Sequence, residues 1–225
     1  MTRQSHFLST LLAAVSLAIL MASTCRAQER PPDHSCSIDA AAIFSIPTGS
    51  DGHNFRKGWG FQTGGGIAVH RSPEGDLGNN FYVTAHYVYQ KLHATGAALG
   101  VAKAANPAQL ANATAAHGGF SAATLDLAYR RSWKRAWGVN VSGGFGWLRR
   151  DIGFNGANPE TLLSPSSISL DRLSSNSGVF DIGFGPTLKI TRSGAWAVFA
   201  EVRFYRGMAI NSGSSLVPIS VGIRW

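Results

Sequence analysis

Apolar residues alternate with small or polar ones along most of the chain beyond residue 36, in eight stretches: 37–47, 59–71, 80–92, 120–130, 137–149, 178–190, 196–206 and 216–225. A period of two puts each set on its own face of an extended strand. In the fifth stretch Trp137, Val139, Val141, Phe145 and Trp147 share one face, opposite Gly138, Asn140, Ser142, Gly144 and Gly146. The sixth sets Phe180, Ile182, Phe184, Leu188 and Ile190 against Val179, Asp181, Gly183, Gly185, Thr187 and Lys189. The last puts Val217, Ile219, Val221, Ile223 and Trp225 opposite Gly222 and Arg224. Each stretch holds 10 to 13 residues. Soluble strands average about 5 to 6 residues, whereas a tilted strand crossing a bilayer needs roughly 9 to 11.

Charges recur on the small-residue face of several strands, so those faces need one polar space in common, and the lumen of a closed barrel supplies it. The predicted lumen set is Asp39, His86, Asp126, Arg130, Asp181, Lys189, Glu201, Arg203 and Arg224. Mixed signs in a narrow space favour paired charges and a plugged interior over a wide pore. The links after the second, fourth and sixth stretches are short (72–79, 131–136, 191–195), and 93–119 and 150–177 are long. Short periplasmic turns with long outer loops put both termini in the periplasm. Aromatics fit two interfacial girdles, with Trp137, Trp196, Trp225, Phe81 and Tyr129 at the periplasmic ends and Trp59, Trp147, Tyr89 and Phe204 at the outer ends. A soluble lipocalin-like barrel would give no reason for tryptophans at both ends of the outward face.

The N-terminus reads as an export signal. Arg3 precedes an apolar stretch from Phe7 to Met21, and Cys25-Arg26-Ala27 offers small residues where a signal peptidase reads, with the cut expected after Ala27. A lipoprotein reading would need a better box than Ala22-Ser23-Thr24 before Cys25. Removing 27 of the 225 residues leaves 198, with 18 Lys and Arg against 12 acids and Cys36 as the only cysteine. No intrachain disulfide is then expected. The expected division is a signal peptide over 1–27, a periplasmic lead over 28–36 and a barrel over 37–225. The 26 glycines and 14% charged residues suit strands with a small-residue face.

On three features the chain resembles the small eight-stranded outer-membrane barrels of the OmpA-like and OmpX-like type. They are Ile38 to Pro47 followed by Thr48-Gly49-Ser50, the run Gly64-Gly65-Gly66, and the closing Val217 to Trp225. The resemblance covers residues 37–225 and implies an all-β, eight-stranded antiparallel up-and-down transmembrane barrel. It also implies that Trp225, with Ile223 and Val221 before it, is the signal read by the barrel assembly machinery. The peptidoglycan-binding domain of full OmpA relatives is not expected after Trp225, and Pro186 suggests a bulge in the sixth strand.

Candidate chemistry is sparse. There is no phosphate-cradling loop, metal-ligand spacing or nucleophile elbow, and no cofactor is expected. If the third and fourth strands pair about residue 106, His86 and Asp126 face each other inward, with Ser142 at similar depth, and these are the residue types of an acyl hydrolase. An eight-stranded interior, however, has room for little beyond its own side chains, so the set reads as a hydrogen-bonded lumen network. Arg56, Lys57, Lys91, Arg149, Arg150 and Arg206 map to outer strand ends, as contacts for lipopolysaccharide phosphates or as flanks that stop strands from sliding. The basic balance does not point to nucleic acid, because half of these charges are flanks or lumen. The stretch 94–117 is Ala-rich and suggests a short helix, and Ser164 to Ser177 reads as a Ser-rich loop. The expected function is a non-enzymatic outer-membrane protein for envelope structure or surface interaction. The alternatives are a narrow OmpW-like conduit for small or hydrophobic solutes and a lipid A-modifying rim enzyme.

Overall fold

The computed structural model describes residues 36–72, 78–105, 107–133, 137–155, 172–190, 196–208 and 215–225. The expected export signal, residues 28–35 of the lead and the stretch 156–171 lie outside the described residues. Eight strands follow in order: β1 (Cys36–Thr48), β2 (Phe55–His70), β3 (Asn79–Ala94), β4 (Ala115–Trp133), β5 (Trp137–Asn155), β6 (Arg172–Lys189), β7 (Ala197–Gly207) and β8 (Ser215–Arg224). Each pairs antiparallel with the next, and β8 returns to β1 to close the barrel. At the seam Ile38 N–H donates to the Trp225 carbonyl at 2.8 Å, and Trp225 N–H donates to that of Ile38 at 2.9 Å. The start of β1 and the end of β8 therefore share one rim, the terminal end; the opposite rim is the loop end.

All eight predicted strands form, and the differences gather at the loop end. β4 begins at Ala115, β5 continues to Asn155 and β6 begins at Arg172, so parts of two predicted loops are strand, including residues 172–177 of the Ser-rich stretch. Pairs from Gly118↔Ile152 to Ala115↔Asn155 extend the ladder beyond the point where apolar alternation fades. Three helices sit at the same rim: α1 (Ser50–Asn54), α2 (Gly96–Ala105) and α3 (Pro107–Leu110). The last two bear out the Ala-rich helix. The bulge suggested at Pro186 is absent, since Phe184↔Val202 and Thr187↔Phe199 share one register. Proline removes a donor but adds no residue, so pairing with β7 lapses while the register holds. The bulges lie instead in β2, between Arg56 and Trp59 and between Ala68 and His70. Cys36, expected to lack a disulfide, is disulfide-bonded, with its partner outside the described residues. That expectation rests on removal of residues 1–27, which takes away Cys25, the one other cysteine of the chain.

The outward face is apolar and open. Phe145 is 69% exposed, Trp59 67%, and Leu125 and Phe184 62%. A continuous belt of such residues is far beyond what a water-soluble surface carries, and it needs lipid. Trp147 lies ten residues along β5 from Trp137; at about 3.3 Å per residue and a tilt near 40°, the two indoles stand about 25 Å apart, the height of an outer-membrane apolar band. Trp133, which falls in a predicted short turn, instead pairs with Trp137 and joins the terminal girdle. Among the described residues, no helix is long and apolar enough to cross a membrane.

The interior has two layers. Towards the loop end, Ile43, Phe55, Val88, Leu92, Phe120, Leu148, Val179, Tyr205 and Leu216 form one buried apolar cluster. Towards the terminal end, buried charges replace it.

Candidate functional site

The charged layer is centred on Arg203, which enters the lumen from β7 and is about 1% exposed. Its Nε donates to Glu201 Oε1 at 2.7 Å. Its Nη1 donates to Asp181 Oδ1 at 2.7 Å and to Asp126 Oδ2, and its Nη2 donates to Ser142 Oγ at 3.0 Å. One guanidinium thus ties together four strands. Its planar fork of five donors suits it to meet several acceptors at once.

A second limb runs through His86. Its Nδ1 donates to Asp126 Oδ2 at 2.8 Å, and its Nε2 lies 3.5 Å from Asp39 Oδ2. Arg224 Nε is 3.6 Å from the same carboxylate, and its guanidinium lies over the Phe199 ring at 4.6 Å. A third limb runs from Glu201 Oε2, which accepts from Asn140 Nδ2 at 2.8 Å, to Arg130, whose Nε donates to Asn140 Oδ1 at 3.2 Å. Arg130 Nη1 donates to Ser37 Oγ at 2.9 Å, and its guanidinium lies 4.2 Å from the centroid of the Tyr82 ring. Four carboxylates therefore share the layer with three guanidiniums and the imidazole of His86.

Glycines make room for this cluster. Gly64 pairs with His86 across β2 and β3, and a Cβ there would sit 2.3 Å from His86 Cδ2. At Gly183 a Cβ would meet Glu201 Oε1 at 2.8 Å, Ser142 Oγ at 3.0 Å and Arg203 Nε at 3.1 Å.

Eight of the nine predicted lumen residues, all but Lys189, fall in this network; Lys189 lies at the terminal mouth. The predicted register was two residues off. His86 lies opposite Thr124, and Asp126 lies opposite Thr84, so the His86–Asp126 bond is diagonal. The Ser-His-Asp set does not assemble as a hydrolase, because the Ser142 hydroxyl accepts from Arg203 and both ring nitrogens of the imidazole are turned to carboxylates. Asn140, Ser37 and the stacking rings of Tyr82 and Phe199 are absent from the predicted set. Inward parity was their only signal, and it does not say which wall a side chain reaches. Among the described residues no group of three or more ligating side chains could hold a metal ion.

Because Arg203 keeps Asp126 and Asp181 when Glu201 is gone, Glu201→Ala should be a moderate lesion. Arg203 Nε and Asn140 Nδ2 each lose an acceptor, at a cost of about 3 kcal/mol, to be read from urea unfolding in detergent.

Of the predicted basic rim, Arg56, Lys57, Lys91 and Arg206 are exposed near the loop end. Arg149 differs: its Nε donates to both oxygens of Asp151 at 3.2 Å. Arg150, next along β5, has the opposite parity and turns towards the lumen side.

A closed, eight-stranded antiparallel barrel with a lipid-facing belt, two tryptophan girdles and a filled, charge-bearing interior is the small outer-membrane barrel architecture. No protein-family model and no curated protein matches the chain. Solved structures do. The chain is similar to the crystal structure of Neisserial surface protein A, with a TM-score of 0.54 and 12% identity over 84% of this chain and 96% of that one. It is also similar to Ail, the attachment invasion locus protein of Yersinia pestis, with a TM-score of 0.49 and 8% identity over 84% and 97% of the two chains. A third is a major outer membrane protein from Thermus thermophilus, with a TM-score of 0.48 and 14% identity over 85% and 99%. At such identities the likeness is one of fold.

Proposed function

We propose that the protein is a non-enzymatic integral outer-membrane barrel that contributes to envelope structure and meets external partners through its loop end. One observation carries the reading: the lumen is filled by an apolar layer above and an ion-paired layer below, while the added helices and strand extensions lie at one rim. A filled interior leaves the outer wall and the loops as the working surfaces. The similarity to a protein named for the neisserial surface supports the same reading. On this reading residues 1–27 are a cleaved export signal, so the disulfide of Cys36, for which Cys25 is the one other cysteine of the chain, belongs to the uncleaved form; residues 28–36 form a periplasmic lead, both termini face the periplasm, and Trp225, Ile223 and Val221 form the signal that the assembly machinery reads. On the same reading Arg56, Lys57, Lys91 and Arg206, exposed near the loop end, meet lipopolysaccharide phosphates, and Arg149, already held by Asp151, and Arg150 contribute less.

The test is reconstitution of the folded protein in planar bilayers. No stepwise conductance is expected, and discrete steps would replace this reading with the narrow-conduit alternative. In vesicles containing lipopolysaccharide, the triple change of Arg56, Lys57 and Lys91 to Gln should lower thermal stability more than in phosphatidylcholine vesicles. Equal shifts in both would remove the lipopolysaccharide contacts from the proposal.

A further inference from the structure

We propose that a groove in the lipid-facing wall, over β3 to β6, is a binding site for an anionic glycerophospholipid, with one acyl chain in the groove and the phosphate against Arg131 at its terminal end. The groove has a volume of about 610 Å³ and opens towards the bilayer between Phe81, Leu127, Tyr129, Phe145 and Ile182. Its floor is Gly143, which lies in register between Leu127 on β4 and Ile182 on β6. A Cβ built on Gly143 meets nothing nearer than 3.5 Å, so the floor is a pit in a wall otherwise covered by large exposed side chains. Lipid tails are as apolar as this wall, so a chain that settles there gains contact and not the release of water. A pit walled on several sides puts more atoms at van der Waals distance from a chain than a flat wall does.

The terminal end of the groove is polar. Arg131 is exposed on the same face of β4 as Leu127 and Tyr129, and its guanidinium lies 5.9 Å from the centroid of the Trp133 ring. Asn79 stands opposite Arg131 across β3 and β4. Tyr129, which lines the groove, donates its hydroxyl to Asn79 Oδ1 at 2.7 Å, and the Asn79 Nδ2 hydrogens are then left to donate beside the guanidinium. A guanidinium binds phosphate oxygens through charge-assisted hydrogen bonds. Arg131 pairs in register with Val139, four residues before Gly143 on β5, so the phosphate contact and the pit are about 13 Å apart at about 3.3 Å per residue. One acyl chain spans that distance. Trp133 and Trp137, paired in register and both exposed, mark the level of the membrane interface, where a headgroup lies. One arginine at that level favours a net-negative lipid over a zwitterionic one by about fivefold. The site requires that the barrel lie in a bilayer, and it is indifferent to which rim faces out.

The test is native mass spectrometry of the folded protein released from non-ionic micelles, titrated with phosphatidylglycerol or with phosphatidylcholine of the same chains. The parent should hold its first phosphatidylglycerol about fivefold more tightly than its first phosphatidylcholine. Arg131→Gln should erase that preference by weakening phosphatidylglycerol alone. Gly143→Leu fills the pit from the outward face and leaves the lumen network untouched, so it should weaken both lipids while keeping the preference between them. Ala123→Leu, at an exposed outward position that pairs with Trp147 nearer the other rim, should behave as the parent. A parent without the preference, or a preference that survives Arg131→Gln, overturns the headgroup contact and with it the proposal. Equal lipid affinities for Gly143→Leu and Ala123→Leu overturn the groove. A dimer of the parent that Gly143→Leu abolishes would give the groove to a second copy of the chain and likewise overturn the lipid site.

Discussion

Arg203→Met should lose about 3 to 5 kcal/mol of stability, the cost of breaking a buried ion cluster by removing one partner. Three carboxylates, those of Asp126, Asp181 and Glu201, lose their shared donor at once, and Ser142 Oγ loses its own. Methionine fills a similar volume, so packing contributes little to the loss. Urea unfolding in micelles or vesicles measures the effect, with Arg206→Gln, three residues along the same strand and exposed, as a reference expected to stay within about 0.5 kcal/mol. A parental midpoint for Arg203→Met would mean that the three acids are hydrated in the folded barrel and that the network is ornamental to stability.

Gly146→Ala should be the second large lesion, although it adds a single methyl group. A Cβ at Gly146 would lie 1.9 Å from the Ala123 carbonyl oxygen and 2.7 Å from Thr124 Cα, so backbone, not side chain, must give way. Inward-facing glycines of this kind let a strand coil tightly against its neighbour, as a small closed barrel demands. The expected cost is at the upper end of the overpacking range, about 3 kcal/mol. Gly143→Ala supplies the comparison within the same strand. Its Cβ points outward and meets nothing nearer than the Asp181 carbonyl oxygen at 3.5 Å, so it should fold and refold like the parent. Equal midpoints for the two variants would show that the wall relaxes freely, and the glycine face would then have no steric role.

Strand number, facing and closure were legible in the sequence because period-two alternation is a local property. Trp137 to Trp147 shows it without any knowledge of a neighbour. The inward set was legible for the same reason. The partners of Arg203 were not, since Asp126, Ser142 and Asp181 lie on three other strands and meet it only across the lumen. The apolar layer near the loop end was also hidden. Around Val88 and Leu148, aromatic residues stand next to inward apolar ones, in Tyr87-Val88-Tyr89 and Trp147-Leu148, so both faces read as apolar and parity alone does not separate core from lipid contact. The extra strand length in β4 and β5 escaped because Gly118, Gly119 and Gly153 interrupt the alternation while still pairing.

That extra length makes the rim lopsided. β5 runs eight residues past Trp147 with β4 and β6 beside it, a rise of about 20 Å above the girdle at the same spacing and tilt. On the opposite flank β1 stops at Thr48, four residues past Phe44, which pairs with Trp59. With the loop end outward, the barrel carries a parapet on one side and a low sill on the other. On the proposed orientation this flank's ladder would stand clear of the lipid headgroups, and a macromolecule arriving from outside would meet it before the ends of β1 and β2.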